Sequence, residues 1–455
     1  MIPTTASGVG PLPPAADAPS GAVRLRGLPP RLPLKQVSNV EAIGPRPLDL
    51  ARCPATPWQG AGSQPAVIVT RDHARWRVKA TADTASSAIE VTLGTLFQLT
   101  GLLAPDHALV SAAEGLERTG QHVGTRYDPA FQDLGDFLLG DAAADAAAAG
   151  DPDARRCYDA LRTWHAKALA DNAALLRGAG VEWWALTGAN ARRHAATDQA
   201  RFDALEAMNR MLPVPLRCEQ LRHYVVSRWL GNWDQLNYRL ENFGYTVREG
   251  AWVGMSLDFG SSGPLGFRHP ESGAMLTKAD SRTVAVVQRP PCLFPIPRAS
   301  VANVAEFDAF GPDPGALHDL LTWPYGVQSE SIAATFCPPV APYPAVADTL
   351  AEMGYRLALL PHAAITRVIE RHWPVETAGW PTPKAMAQRL AERRNALVAR
   401  FDPAQVRDWI KADPERANGV RKSIADALTA ALGPIAAAPG HAVLEQVHAT
   451  LSRSD

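Results

Sequence analysis

The spacing of hydrophobic and polar residues divides the chain into a β-rich part and a helical part. Residues 65–70 and 75–80 are short β-prone runs on either side of the polar stretch RDHA, which is typical of an antiparallel hairpin. Apolar residues at helical spacing then predict a helix over 86–100, ended by Gly101. The runs HALVSA and QHVGTRY predict further strands, so a small sheet with one helix is expected to end near Gly140.

Beyond an alanine-rich stretch after Gly140, the periodicity is mainly helical. Helices are predicted over residues 154–177, 200–211, 216–230, 345–360, 363–372, 383–401 and 415–432. The fold class predicted is α+β, with two lobes: a small antiparallel sheet bearing one helix, and a larger, mainly helical lobe. The domains expected are an irregular or disordered segment over 1–55, the small lobe over 56–140 and the helical lobe over 141–455.

The amino-acid composition excludes some classes of function for this protein. A chain of 455 residues can bury a sizeable core, and its net charge of -1 excludes an overall electrostatic preference for nucleic acid or anionic membranes. Its five cysteines are scattered without a CxxC pair, so neither a disulfide framework nor a zinc site is predicted. No apolar run is long enough to span a bilayer.

These features, and the absence of a signal-peptide pattern, favour one of two locations. One is the cytoplasm of a bacterium, which arginine and alanine usage suggests. The other is delivery into a host cell by a secretion system, with the Pro-, Ala- and Ser-rich N-terminal tail as a candidate export signal. Such a tail is more often inert.

Candidate chemistry is concentrated in the stretch LGNWDQLNYRLENFGYTVREGAWVGMSLDFG, residues 230–260. Gly231 is a natural stop for the preceding helix, which places Asp234 on a loop. The runs YTV and AWVGMSL flank a turn, so a hairpin is predicted to carry the chain from Asn242 to Asp258. The polar residues around Asp234 and those around Asp258 would then meet at the ends of the two strands.

The order of these features resembles the protein-kinase-like superfamily: small sheet, lysine on a strand, glutamate on the next helix, helical lobe, acidic loop, hairpin and DFG. The closer likeness is to its atypical branch of HipA-type, phosphatidylinositol and actin-fragmin kinases. GAGSQPAVIV followed by RWRVKA looks like the phosphate loop and lysine strand, and VGTRYDPAFQDLGDFL looks like the hinge segment. The resemblance covers residues 60–263.

The resemblance implies a kinase that uses ATP and Mg²⁺ and transfers phosphate to an acceptor hydroxyl, on a protein more than on a lipid or small molecule. Lys79 would contact the phosphates and pair with Glu90, and Asp234 would orient or deprotonate the acceptor. Asp258 would be the first metal ligand. The phosphate loop would hold the nucleotide through Gly60, Gly62, Ser63 and Gln64.

The second metal ligand is ambiguous. Relatives have asparagine five residues after the catalytic aspartate, but that position here is Arg239. Asn242 is preferred because NFG leads directly into the hairpin, and Asn237 is the alternative. The departure leaves two rival functions open: a kinase-fold enzyme with another transfer reaction, such as AMPylation, and a nucleotide-binding pseudokinase that serves as an interaction module.

Simpler interpretations of single residues also stand. Lys79 is compatible with a solvated edge charge, and Glu90 with a capping box that begins at Ser87. His223 lies beside an apolar helical stripe and is predicted to be a packed histidine, not a ligand.

Overall fold

The computed structural model describes most of the chain outside the N-terminus and a long segment after Gly260. The described residues are 47–58, 65–80, 84–116, 122–181, 186–230, 232, 235, 240–260, 344–373, 382–399 and 401–453. In these residues the chain is α+β, with an antiparallel-rich sheet carrying one helix and a larger helical part, so the predicted fold class is confirmed.

A six-stranded sheet forms the β-rich part, in the order β1-β5-β6-β4-β3-β2. Its strands are β1 (Leu48–Leu50), β2 (Ala55–Pro57), β3 (Ala66–Arg71), β4 (Ala74–Lys79), β5 (His107–Ala113) and β6 (His122–Arg126). All neighbours pair antiparallel except β1 with β5, which are parallel. Strand β1 lies within the segment that was predicted to be irregular; its three residues are too few to carry an alternating pattern in the sequence.

The predicted hairpin is β3 with β4, joined by Asp72 and His73. Both turn residues have positive φ, 49° and 62°, as a two-residue turn requires to match the twist of the strands. Val67 lies opposite Val78, and both side chains pack in a buried cluster on one face of the sheet. The register therefore follows from which alternate residues are apolar.

Helix α1 (Thr84–Leu99) packs on β5 and β6 and ends before Gly101, whose φ of 72° is left-handed. The predicted helix is confirmed, with an earlier start. Its apolar stripe is fully buried: Ile89, Leu93, Leu96 and Phe97.

A second sheet of three strands follows, in the order β7-β8-β9. Its strands are β7 (Gln132–Asp133), β8 (Phe243–Arg248) and β9 (Ala251–Ser256). The hairpin β8–β9 turns at Glu249 and Gly250, with φ of 51° and 78°. This is the hairpin predicted between Asn242 and Asp258.

The remaining described elements are helices. They are α2 (Leu134–Leu139), α3 (Asp141–Ala148), α4 (Pro152–Ala179), α5 (Gly188–Met211), α6 (Val214–Leu230), α7 (Pro344–Leu359), α8 (His362–His372), α9 (Pro383–Val398), α10 (Pro403–Ala412), α11 (Pro414–Leu432) and α12 (Pro434–Ser452). Sequence analysis missed α2, α3, α10, α12 and the first half of α5. It treated the alanine-rich α3 as a boundary.

Residues 144–211 cluster as one compact unit, and residues 29–143 with 212–455 cluster as another. The first unit holds the helix pair α4 and α5. Helix α4 begins with Asp151, which accepts a hydrogen bond from the amide of Asp153, and ends at Gly180 with a φ of 64°. The second unit holds both sheets, α1, α6 and the C-terminal helices. The predicted lobe boundaries stay a prediction.

Among the described helices, none has the length and apolar character needed to cross a membrane.

Candidate active site

Lys79, at the end of β4, joins residues from three elements of the second unit. Its Nζ lies 2.8 Å from Oε1 of Glu90 on α1 and 2.9 Å from Oδ1 of Asp258, which follows β9. The Lys79 and Glu90 side chains are 11% and 3% exposed, whereas that of Asp258 is 31% exposed. The structure therefore brings three predicted site residues together at a point that is open on the Asp258 side.

Strand alternation explains the position of Lys79. Val78 is fully buried in the cluster on one face of the sheet, so Lys79 is directed to the opposite face. Glu90 lies within α1, which begins at Thr84, and Ser87 lies inside the helix as well. Ser87 is therefore not the N-cap of α1, and the capping-box interpretation of Glu90 is wrong.

Asp258 is held by its neighbours in the DFG sequence. Its backbone has a φ of 47°, and its Oδ1 accepts a hydrogen bond of 3.0 Å from the amide of Gly260. A Cβ on Gly260 would lie 2.8 Å from Glu90 Oε2 and 3.1 Å from Asp258 Oδ1, so only glycine allows both carboxylates to approach this closely.

Phe259 anchors the same loop. Its fully buried ring lies 5.1 Å from the ring of Phe97 on α1 and 5.2 Å from the ring of His107, measured between centroids. Aromatic pairs at this separation pack favourably beyond the area they bury. The loop that carries Asp258 is thereby fastened to the helix that carries Glu90.

The segment on the other side of the site is tied to the end of β9. The side-chain amide of Asn232 donates to the backbone oxygen of Asp258 over 3.4 Å, and that of Gln235 donates to Ser256 Oγ over 2.8 Å. Ser256 Oγ also lies 2.7 Å from Nδ1 of His223. His223 is buried on α6, so the prediction of a packed histidine is confirmed.

The charges of the three residues shift one another's protonation. Burial works to lower the pKa of Lys79, but the charges of Asp258 and Glu90 outweigh it and raise the pKa. Burial raises the pKa of Glu90 to about 7 although Lys79 opposes the shift. For Asp258, burial favours a higher pKa, but the charge and hydrogen bond of Lys79 lower it. Lys79 and Asp258 therefore stay ionised at neutral pH, where Glu90 titrates.

Asp258 has capacity for a further ligand. Its described hydrogen bonds use Oδ1 and the backbone oxygen, and within the described chain none reaches Oδ2. Asn242 is close in the hairpin, since its backbone oxygen accepts a 2.8 Å hydrogen bond from the amide of Leu257. The described residues contain no cluster of three His, Cys, Asp or Glu side chains suited to a metal. An Asp–Asn pair fits a magnesium ion that keeps several waters.

The other predicted site residues lie outside the described residues: Gly60, Gly62, Ser63, Gln64, Asp234 and Asn237, together with Arg239. Their roles stay predictions. Asn232 and Gln235 flank Asp234 and both bond to the end of β9, next to Asp258.

No protein-family model matches the chain, and neither does any curated protein. Among solved structures, the crystal structure of a Helicobacter pylori proinflammatory kinase, CtkA, is similar with a TM-score of 0.38 and 11% sequence identity. The match covers 78% of this chain and 98% of that chain. Residue roles are therefore argued from geometry alone.

Sequence analysis missed two groups beside the site. Arg77 lies two residues before Lys79 on the same face of β4. After burial and the charge of Lys79, its charge is a smaller influence that works to lower the pKa of Glu90 and of Asp258. The alternation in RWRVK was the available signal. His107 has a pKa lowered to about 4, by burial first and by the charge of Lys79 second. It contacts Phe259 as a neutral ring, and no sequence signal pointed to it.

Proposed function

We propose that the chain is a kinase-like phosphotransferase that moves phosphate from ATP to an acceptor hydroxyl, more readily on a protein than on a lipid or small molecule. The observation that carries this proposal is the position of Lys79 Nζ, 2.8 Å from Glu90 and 2.9 Å from Asp258. The lysine and Asp258 are 179 residues apart in the chain. Tertiary folding thus places a cation beside a carboxylate whose second oxygen accepts no hydrogen bond from the described residues.

The charge balance of this cluster suits a polyphosphate with a divalent cation. One ammonium and two ionised carboxylates leave a net charge of -1, which by itself repels a triphosphate. Asp258 and Asn242 would hold Mg²⁺, which when bound supplies neutralising charge to the phosphate oxygens. Lys79, fixed by Glu90, adds a rigid positive charge, and Arg77 contributes a second one on the same strand face.

Asp234 is proposed to orient or deprotonate the acceptor hydroxyl. The hydrogen bonds of its neighbours Asn232 and Gln235 to the β9 end support that role, because they fasten this part of the chain beside Asp258. Positioning of the acceptor and the phosphates accounts for most of the rate in this class of reaction.

The test is incubation of the full chain with Mg²⁺ and either γ-labelled or α-labelled ATP, with a bacterial or host lysate as the source of acceptors. Transfer of the γ label alone supports the proposal. Transfer of the α label would mean AMP transfer, and nucleotide binding without either label transferred would favour the pseudokinase. Asp258→Ala and Asp234→Ala are expected to lower transfer at least about a hundred-fold. Undiminished transfer in both would show that the site lies elsewhere.

A control for general damage is Asp171→Ala. Asp171 belongs to a half-exposed ion pair with Lys167 on α4. Removing such a pair changes stability little, so transfer by this variant should equal that of the unmodified chain.

A further inference from the structure

The C-terminal end of α1 is held by two side chains from distant helices. Nη1 of Arg356, on α7, donates to the backbone oxygen of Thr100 over 2.9 Å. Oγ of Ser423, on α11, donates to the backbone oxygen of Gly101 over 3.2 Å. Thr100 and Gly101 directly follow Leu99, the last residue of α1, so the two bonds hold the chain at the point where it leaves the helix, next to carbonyl groups that have no partner within the helix.

There is no spare room at this contact. A Cβ on Gly101 would lie 2.4 Å from Ser423 Oγ and 3.0 Å from Arg356 Nη1. Thr100 and Ser423 are both buried. The end of α1 is thus closely packed against the C-terminal helices and is not merely near them.

Arg356 is itself oriented by a buried carboxylate. Its Nε and Nη2 each lie 2.9 Å from Oε1 of Glu352, one turn earlier on α7. Glu352 also binds Arg222 of α6 and Arg416 of α11. The guanidinium that caps α1 is therefore fixed in position before it meets Thr100.

Holding a helix at one end controls where its other residues lie. Glu90 is ten residues before Thr100, which is about 15 Å along a helix axis. A tilt of about 10° at the held end moves Glu90 by roughly 2 to 3 Å, enough to break a 2.8 Å ion pair with Lys79.

We infer that Arg356, with Ser423, is a positioning residue that keeps Glu90 paired with Lys79. Its role rests on the proposed function, in which that pair serves phosphate transfer. The C-terminal helices thereby determine the geometry of the nucleotide end of the site.

The closing experiment measures how fast Lys79 is acylated by an N-hydroxysuccinimide ester at pH 8, with no nucleotide present. The products are quantified by peptide mass spectrometry, with the 72% exposed Lys167 as reference within each molecule. In the unmodified chain, Lys79 is 11% exposed and its Nζ is held between two carboxylates, so its acylation should be slow. Glu90→Gln is the positive control.

Arg356→Gln is expected to accelerate acylation of Lys79 relative to Lys167 by about tenfold, because Nζ of Lys79 then loses its contact with Glu90 and becomes more accessible. Arg356→Lys keeps one donor for Thr100 and should restore slow acylation in part. Ser423→Ala, which removes one hydrogen bond, should produce a smaller increase than Arg356→Gln.

The matched control is Arg371→Gln. Arg371, on α8, also donates to a backbone carbonyl, that of Ala431 in α11, over 2.6 Å. Removing this side chain should leave the ratio of Lys79 acylation to Lys167 acylation unchanged.

Folding of every variant is checked by far-UV circular dichroism, and if Arg356→Gln does not fold, Arg356→Lys and Ser423→Ala decide the question. If the ratio of Lys79 to Lys167 acylation were unchanged in folded Arg356 and Ser423 variants, the positioning role would be overturned. The same would hold if this ratio rose as much in Arg371→Gln as in Arg356→Gln. A chain that transfers no label from ATP but shows the expected ratios would instead refute only the proposed function.

Discussion

Two buried ionic clusters in the second unit are opposite in charge. Around Lys79, one cation lies between two carboxylates, with a net charge of -1 when all are ionised. Around Glu352, three guanidinium groups share one carboxylate, and one of them also pairs with Glu219, so the net charge of the cluster is +1. The three are Arg222, Arg356 and Arg416.

The clusters also differ in access to solvent. Asp258 is 31% exposed and has an oxygen that no described residue uses, whereas Glu352 is 1% exposed and both of its oxygens accept hydrogen bonds from arginine. A carboxylate fully enclosed by arginines fixes the packing of helices. One that is left partly open can receive a ligand. Partial exposure together with spare acceptor capacity thus separates a site from a structural ion pair.

The largest effect is expected from breaking the enclosed cluster. Glu352→Gln removes the carboxylate that Arg356 binds and leaves Arg222 paired with Glu219 alone, and should lower the free energy of unfolding by about 3 to 5 kcal/mol. Urea denaturation measures this. Glu445→Gln removes the partner of Arg421 in an exposed ion pair and should cost no more than about 1 kcal/mol. Equal losses in the two variants would contradict the distinction between the clusters.

Breaking the open cluster should affect function more than stability. Lys79→Met removes the cation, but Glu90 can take up a proton because its pKa is already about 7, so no unpaired buried charge remains. We expect transfer from ATP to fall at least about a hundred-fold. The loss in free energy of unfolding should be smaller than for Glu352→Gln. Lys167→Met, at a 72% exposed lysine, is the control for both measurements.

The smallest effect expected is the pH dependence of transfer. Glu90 has a pKa raised to about 7, so the ion pair with Lys79 is present above that pH and is lost as pH falls through it. Transfer should decrease about tenfold per pH unit below 7. Lys79, with a raised pKa, and Asp258, with a lowered one, do not titrate there.

Rate profiles from pH 5 to 9 test this dependence, and Glu90→Gln should be slow and flat across the acidic range. If the transfer rate of that variant still decreased at acidic pH as in the unmodified chain, the titration would belong to another group. The stability of the fold depends on pH in the opposite direction. The pKa of Glu90 is about 7 in the folded chain and 4.5 in the unfolded chain, so the folded chain holds this proton more tightly. The contribution of Glu90 to the free energy of unfolding therefore declines as the pH rises from 4.5 to about 7.

Elements with a strong local signal were predicted well. In the hairpin β3–β4, one strand is a short apolar run and the other alternates in polarity, and α1 combines a helical apolar stripe with Gly101 at its end. Elements without such a signal were missed. Strand β1 has three residues and pairs with β5, and α3 is alanine-rich and has no large apolar side chain. Their stability comes from neighbours that local patterns do not encode.

The residues of the candidate site were predicted in part. Lys79, Glu90 and Asp258 were identified by their order along the chain, and the structure places them in contact. The space requirement at Gly260 and the ring contact of His107 with Phe259 were not foreseen, because each depends on a partner distant in sequence.

The sequence by itself determined the class of the fold, the hairpins, the helix that carries Glu90 and the candidate residues, because turn chemistry and hydrophobic periodicity act over a few residues. Only the tertiary structure decided that Lys79 lies between two carboxylates and that α1 is held by Arg356 across 256 residues of chain. Ion pairs and helix caps depend on distances of about 3 Å between side chains, and only the packing of whole elements sets those distances.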